Sequence, residues 1–199
     1  MKAMLKLPHR TTYTDYLVVE QMSERRHEFI DGVIIAMAGG SHEHIRIAGR
    51  FAGVLTTLAP PDCFYHTADQ RFWIQVTGHG RYSDGSLVCG DPENPAHDRQ
   101  ANMNPIILIE VMSPSSEVDD HGAKRRDYQS LASLQAYVVA SQDRRLVQLY
   151  RRNEHGAWHS EPTTYRDGDS FELPRLAQPI YVHQIYDGIL DRDGRSLLR

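Results

Sequence analysis

Between Pro105 and Pro114 the chain reads Ile106-Ile107-Leu108-Ile109-Glu110-Val111-Met112-Ser113. A short apolar run bounded by breakers is the pattern of a strand buried on both faces, because a half-exposed strand alternates apolar with polar residues. A carboxylate then appears at Glu110. A lone carboxylate is costly to bury, so this one calls for a sheet edge, a partner or a metal. Ser113-Pro114-Ser115 follows at once and stops the strand. A second acid stands at the mouth of another strand-like run, Ser83-Asp84-Gly85-Ser86-Leu87-Val88-Cys89, and a lysine lies downstream at Lys124.

The rest of the chain supplies neighbours for that central strand. Thr12 or Thr14 caps a helix reaching Met22, with Tyr16, Leu17 and Val19 as its buried stripe. His27 to Met37 reads as a hairpin around Asp31-Gly32. Ser41 caps a helix from about His42 to Leu58, along which Ile45, Ala48, Ala52 and Leu55 recur at helical spacing, until Pro60-Pro61 stops it. Cys63 to His66, Gln70 to Val76 and Gly85 to Cys89 are strand-like, with a glycine-rich turn at 78–81 and a polar surface loop at 90–104. After the central strand a helix begins at Ser115, Ser116 or Asp119 and runs to about Leu131. Strands follow at Ala136 to Ala140 and Leu146 to Tyr150, with shorter ones near 158–165 and 171–173 and a closing helix over 182–190. Strand, helix and strand alternate from 85 to 140, which predicts an α/β fold with a central mixed sheet. No linker or repeat interrupts the chain, so a single domain over 1–199 is expected, with 1–10 as a loose leader.

Composition matters chiefly for what it excludes. No apolar run approaches the about 20 residues that span a bilayer, and the N-terminus lacks a secretory pattern, so a cytoplasmic protein without a membrane partner is expected. A net charge of -4 argues against a protein that coats nucleic acid, although a local basic patch can still bind it. Cys63 and Cys89 read as separate buried thiols in a reducing compartment rather than a disulfide or a zinc pair. His42 and His44 are two apart at a helix start and do not share a face. Arg144-Arg145 and Arg151-Arg152 read as surface pairs.

Two carboxylates and a main-chain carbonyl suffice for a hard divalent cation, which keeps several waters. Asp84 and Glu110 could supply the carboxylates and Val111 the carbonyl, with Mg²⁺ or Mn²⁺ as the cation. Such a cation lowers the pKa of water and neutralises phosphoryl charge, and a lysine nearby steadies the reacting group. Lys124 reaches that position if its helix packs back over the strand end. The bland alternative makes Asp84 a turn acid and Lys124 a solvated helix residue.

The run Arg26-His27-Glu28-Phe29-Ile30-Asp31-Gly32, then Ser41-x-x-His44-x-x-Ile47, Ser83 to Val88, Ile109 to Ser115 and Lys124 to Tyr128 resembles the Uma-type family of restriction-endonuclease-like proteins, within the PD-(D/E)XK nuclease superfamily. The resemblance spans roughly residues 12 to 190 and implies a restriction-endonuclease-like core carrying an N-terminal helix and hairpin. It implies Asp84 as the first acid, Glu110 as the second and Lys124 as a lysine moved to the following helix, since Met112 stands where the motif lysine would. Glu28 and His44 match accessory positions. Taken by themselves, His44 reads as a helix-start hydrogen-bond donor and Glu28 as either a site acid or the partner of a neighbouring arginine. Ser83 and Gly85 depart from the family pattern around the first acid.

The activity implied is metal-dependent hydrolysis of DNA phosphodiester bonds, with a homodimer expected if both strands are to be cut. The alternative is a nuclease-fold module without catalysis, acting as a structural or partner-binding unit, which the acidic charge and Met112 favour.

Overall fold

A computed structural model describes residues 4–5, 11–113, 117–190 and 193–196. The chain begins with β1 (Met4–Leu5), α1 (Tyr13–Met22), β2 (His27–Ile30), β3 (Val33–Ala36) and α2 (His42–Leu58). It continues through β4 (Cys63–Thr67), β5 (Arg71–Ile74), β6 (His79–Tyr82), β7 (Gly85–Cys89), β8 (Ala101–Asn102) and β9 (Pro105–Met112). After α3 (Glu117–Asp120) and α4 (Ala123–Gln129) come β10 (Ala136–Ser141), β11 (Leu146–Arg151), β12 (Thr163–Arg166), β13 (Ser170–Phe171), β14 (Ile180–Tyr181) and α5 (Val182–Tyr186). No described helix is long and apolar enough to cross a membrane.

The strands form a six-stranded sheet in the order β12-β11-β10-β9-β7-β4, a second in the order β1-β3-β2-β6-β5-β8, and the small pair β13-β14. In the first, β9 pairs with β10 in parallel and with β7 antiparallel, so α3 and α4 form the crossover that parallel neighbours require. The mixed α/β architecture expected from the alternation of elements is therefore present, with the hairpin extended into a sheet of its own. Asp31 and Gly32, at φ 51° and 79°, make the hairpin turn with both residues left-handed, the form whose twist matches the strands.

Strand β9 is buried on both faces. Ile107, Ile109 and Val111 join Ile47, Phe51 and Leu55 of α2 and Ile185 and Tyr186 of α5 in one core. Leu108 and Met112 join Tyr128 of α4, Tyr137 and Val139 of β10, and Phe72 and Ile74 of β5 in another. The second core thus lies between the two sheets. At about 1.5–3 kcal/mol per fully buried apolar side chain, this double burial is what holds β9 central.

Several local expectations are corrected. Residues 78–81 are not simply a turn: Gly78 turns at φ 71°, and β6 follows with Arg81 wholly buried. The loop 90–104 contains β8 and buries Asp98, which grips Arg71 through two hydrogen bonds of 2.8 and 3.0 Å. The helix expected to run to Leu131 is broken at His121-Gly122 into α3 and α4, glycine being a poor interior residue for a helix. Its cap candidates Ser115 and Ser116 lie outside the described residues, as does most of the expected leader, of which Met4–Leu5 pairs with β3.

In α1, Glu20 rather than Val19 is buried beside Tyr16. In α2 the core takes Ile47, Phe51 and Leu55, while Ile45 is 61% exposed. Arg145 is buried and pairs with Asp167 and Asp187, and Arg152 donates to the carbonyls of Gln129 at the end of α4 and of Leu131 and Leu134 beyond it, so neither is a plain surface residue. Cys63 and Cys89 face each other in the β4–β7 ladder and are disulfide-bonded, which overturns the reading as separate thiols.

Candidate active site

The register of β7 on β9 sets Gly85 opposite Ile109, and so brings Asp84, one residue earlier, beside Glu110. The main chain fastens this arrangement. Asp84 N–H donates to the Ile109 carbonyl at 3.0 Å, and Val111 N–H donates to Asp84 Oδ2 at 2.7 Å. The departure at Gly85 has a steric cause: a Cβ there would lie 2.1 Å from the Tyr65 hydroxyl. Tyr65 pairs with Leu87 in the β4–β7 ladder, two residues along from Gly85, and its ring fills the space a side chain at 85 would need.

His44, in the first turn of α2, places Nε2 3.0 Å from Asp84 Oδ2. Ser41 caps that helix by accepting from His44 N–H at 3.2 Å. The imidazole thus approaches the same carboxylate oxygen that accepts from Val111 N–H.

Glu110 points to the face covered by α4. Lys124 Nζ lies 2.8 Å from Glu110 Oε1 and 3.8 Å from Glu28 Oε1. The Tyr128 hydroxyl lies 3.2 Å from the same Glu110 oxygen and 2.8 Å from the Tyr82 carbonyl. Glu28 reaches the site from the other sheet. Its partner is the distant Arg81 at 3.3 Å rather than a neighbouring arginine, and Tyr82 N–H also donates to it. Arg81 in turn binds Asp127 of α4 through Nε at 2.8 Å, so one buried guanidinium ties β2 to the helix that carries Lys124.

The electrostatics follow from burial. Burial pushes the Glu110 carboxyl well above the usual range; the charge of Lys124 pulls it back, and those of Asp84 and Asp120 push it further up. Burial alone would lower Lys124, but Glu110, Glu28, Asp120 and Asp84 outweigh it and raise the ammonium well above its ordinary value. Lys124 is thus held protonated.

A cavity of about 490 Å³ is lined by Glu28, His44, Asp84, Glu110, Val111 and Lys124, together with Asp120 and the segment 35–41. All six residues singled out from the sequence meet at this one space. Three participants were missed. Asp120 closes α3 and Lys124 lies in α4, so the two meet at the cavity across the break at His121-Gly122, and no helical spacing marked the acid. Arg81 sits in the stretch read as a turn, and Tyr128 lay inside the quoted motif without an assigned role.

Among the described residues, no three His, Cys, Asp or Glu side chains form a ready cluster of metal ligands. Asp84, Glu110 and Val111 all line the cavity, and two carboxylates with a main-chain oxygen are the kind of donor set that suits a hard divalent cation completed by water.

Residues 13–180 match the Uma2 family, whose description reads "Putative restriction endonuclease". The uncharacterized protein slr1290 of Synechocystis sp. is 32% identical over 88% of this chain and 90% of its own length. A second protein of that organism, sll1609, is 29% identical over 74% of this chain and 84% of its own. A crystal structure from Anabaena variabilis, described as a "putative nuclease belonging to DUF820", superposes with a TM-score of 0.68 at 17% identity, over 87% of this chain and 96% of that one. The likeness shows that the fold is shared.

Proposed function

This chain belongs to the Uma2 family, and on that premise we propose that it hydrolyses phosphodiester bonds of DNA with the help of a divalent cation. The observation that carries the reading is the buried ion pair of Lys124 and Glu110, at 2.8 Å, in the cavity that Asp84 also lines. Asp84 and Glu110 would hold Mg²⁺ or Mn²⁺, with the Val111 carbonyl as a further oxygen donor. When bound, such a cation neutralises phosphoryl charge and makes water a better nucleophile at neutral pH. Lys124, held protonated, is no general base. It donates hydrogen bonds to a phosphoryl oxygen or orients the attacking water, a charge placed in advance where the transition state is most negative. His44 and the Val111 N–H fix the rotamer of Asp84. Glu28 and Arg81 hold Lys124 in reach of Glu110.

The second reading, a nuclease-fold module without catalysis, is favoured by the same pair taken differently, because Glu110 already has a full positive partner in Lys124. Calorimetric titration with MgCl₂ and MnCl₂ separates the two, alongside cleavage of supercoiled plasmid. The nuclease reading expects cation binding and nicking in the parent and neither in Glu110→Ala. Binding that is absent, or indifferent to Glu110, supports the module.

A further inference from the structure

Beside the catalytic cavity runs a second and larger depression of about 800 Å³. The two share His44, Asp84 and the segment 37–40 as a common wall, so the depression opens onto the acids. Its floor is α2. That helix carries two apolar stripes: Ile47, Phe51 and Leu55 enter the core, whereas Ile45, Ala48, Gly49 and Ala52 line the groove. A Cβ at Gly49 would meet nothing, so no packing requirement explains glycine in mid-helix, where it costs stability relative to alanine. Tyr65, half-buried against the core, is also among the lining residues. Arg25 and Arg26 stand among the lining residues, and Arg26 is held at 3.2 Å by Asp69.

We infer that this groove seats an unpaired strand of nucleic acid next to the phosphodiester that enters the catalytic cavity, an assignment that rests on the nuclease reading. Duplex binding is built on rows of Lys and Arg against two phosphate backbones. This lining is instead made mostly of apolar and small residues with one aromatic ring, its charges confined to Arg25, Arg26, His44, Asp69 and Asp84, which suits the flat faces of unstacked bases. Arg25 supplies a charge for one flanking phosphate. Glu110 and Lys124 are only 3% and 8% exposed, so the scissile group must descend to them, and a strand without a partner bends to do so. One cut in one strand needs one site.

Fluorescence anisotropy of the full chain in EDTA tests this, using a labelled oligothymidylate of about twenty nucleotides and a blunt duplex of equal length. The single strand is expected to bind about tenfold more tightly than the duplex, and Gly49→Leu and Arg25→Glu are each expected to weaken it by about that factor. Gly49→Leu should melt no lower than the parent, because its new side chain enters open space. Equal binding of both probes, or an unchanged single-strand affinity in Gly49→Leu, overturns the assignment. If the parent and Gly49→Leu nick plasmid alike in Mg²⁺, the groove assignment fails and the nuclease stands. If the parent cuts nothing yet Gly49→Leu loses the single strand, the groove stands as a binding site and the nuclease fails.

Discussion

Lys124 and Glu110 form an ion pair of 2.8 Å between two side chains that are both nearly inaccessible to water. Each charge is tolerated because the other is there. Lys124→Ala would leave Glu110 without its cation, while Glu28 would keep Arg81. It is expected to abolish plasmid nicking and to lower stability by about 3–5 kcal/mol in metal-free buffer, the cost of breaking a buried pair. Urea unfolding with and without Mg²⁺ checks it. A variant as stable as the parent that still nicks at the parent rate removes the lysine from the mechanism.

Gly85 is predicted to be intolerant of a single added methyl. With Tyr65 Oη 2.1 Å and Cζ 2.8 Å from the new carbon, the ring must move, and Asp84 is the adjacent residue. Gly85→Ala should cost about 1–3 kcal/mol as an overpacked site. Adding Tyr65→Ala should recover part of that loss. Thermal melts of both singles and the double read the coupling, and strict additivity would contradict the steric account.

His79 places Nδ1 2.9 Å from Asp127 and Nε2 3.1 Å from Asp31, so both ring nitrogens face carboxylates. Burial alone would lower the imidazole, but the hydrogen bonds to Asp127 and Asp31 outweigh it and raise its pKa. A group raised on folding stabilises in its protonated form. Its contribution is fully present below the ordinary histidine value of about 6.5 and is lost as pH rises through the raised folded value. His79→Gln should therefore lower the urea midpoint most near about pH 5.5 and least near about pH 9. A deficit that grows with pH would refute it.

The Cys63–Cys89 bridge joins an edge strand to the strand that begins just after Asp84, across a sequence separation of 26. Reduction, or Cys63→Ser with Cys89→Ser, should lower stability by about 2–4 kcal/mol through the freed unfolded chain. Denaturant melts with and without a phosphine reductant measure this, and identical curves would show that the bridge does not form in solution.

Much of the site was legible because motif and strand physics agree there. An apolar run ending in an acid places Glu110 at a buried strand end, and the spacing to Lys124 leaves room for a returning helix. What stayed hidden depends on pairings made only after folding. The cysteines meet through the β4–β7 register, which neither strand shows alone. Arg81 looks like part of a polar, glycine-flanked turn because its partners Glu28 and Asp127 lie about fifty residues away on either side. Periodicity in α2 pointed to Ile45, Ala48, Ala52 and Leu55, whereas the core takes Ile47, Phe51 and Leu55, because spacing alone does not say which face meets the sheet. Asp120 was not singled out, since nothing local distinguishes an acid that turns inward.

The acids and the lysine are drawn from both sheets, Glu28 from β2 and Glu110 from β9, with Lys124 later than either. A chain growing from its N-terminus therefore cannot bring these side chains together until more than half of it has been made.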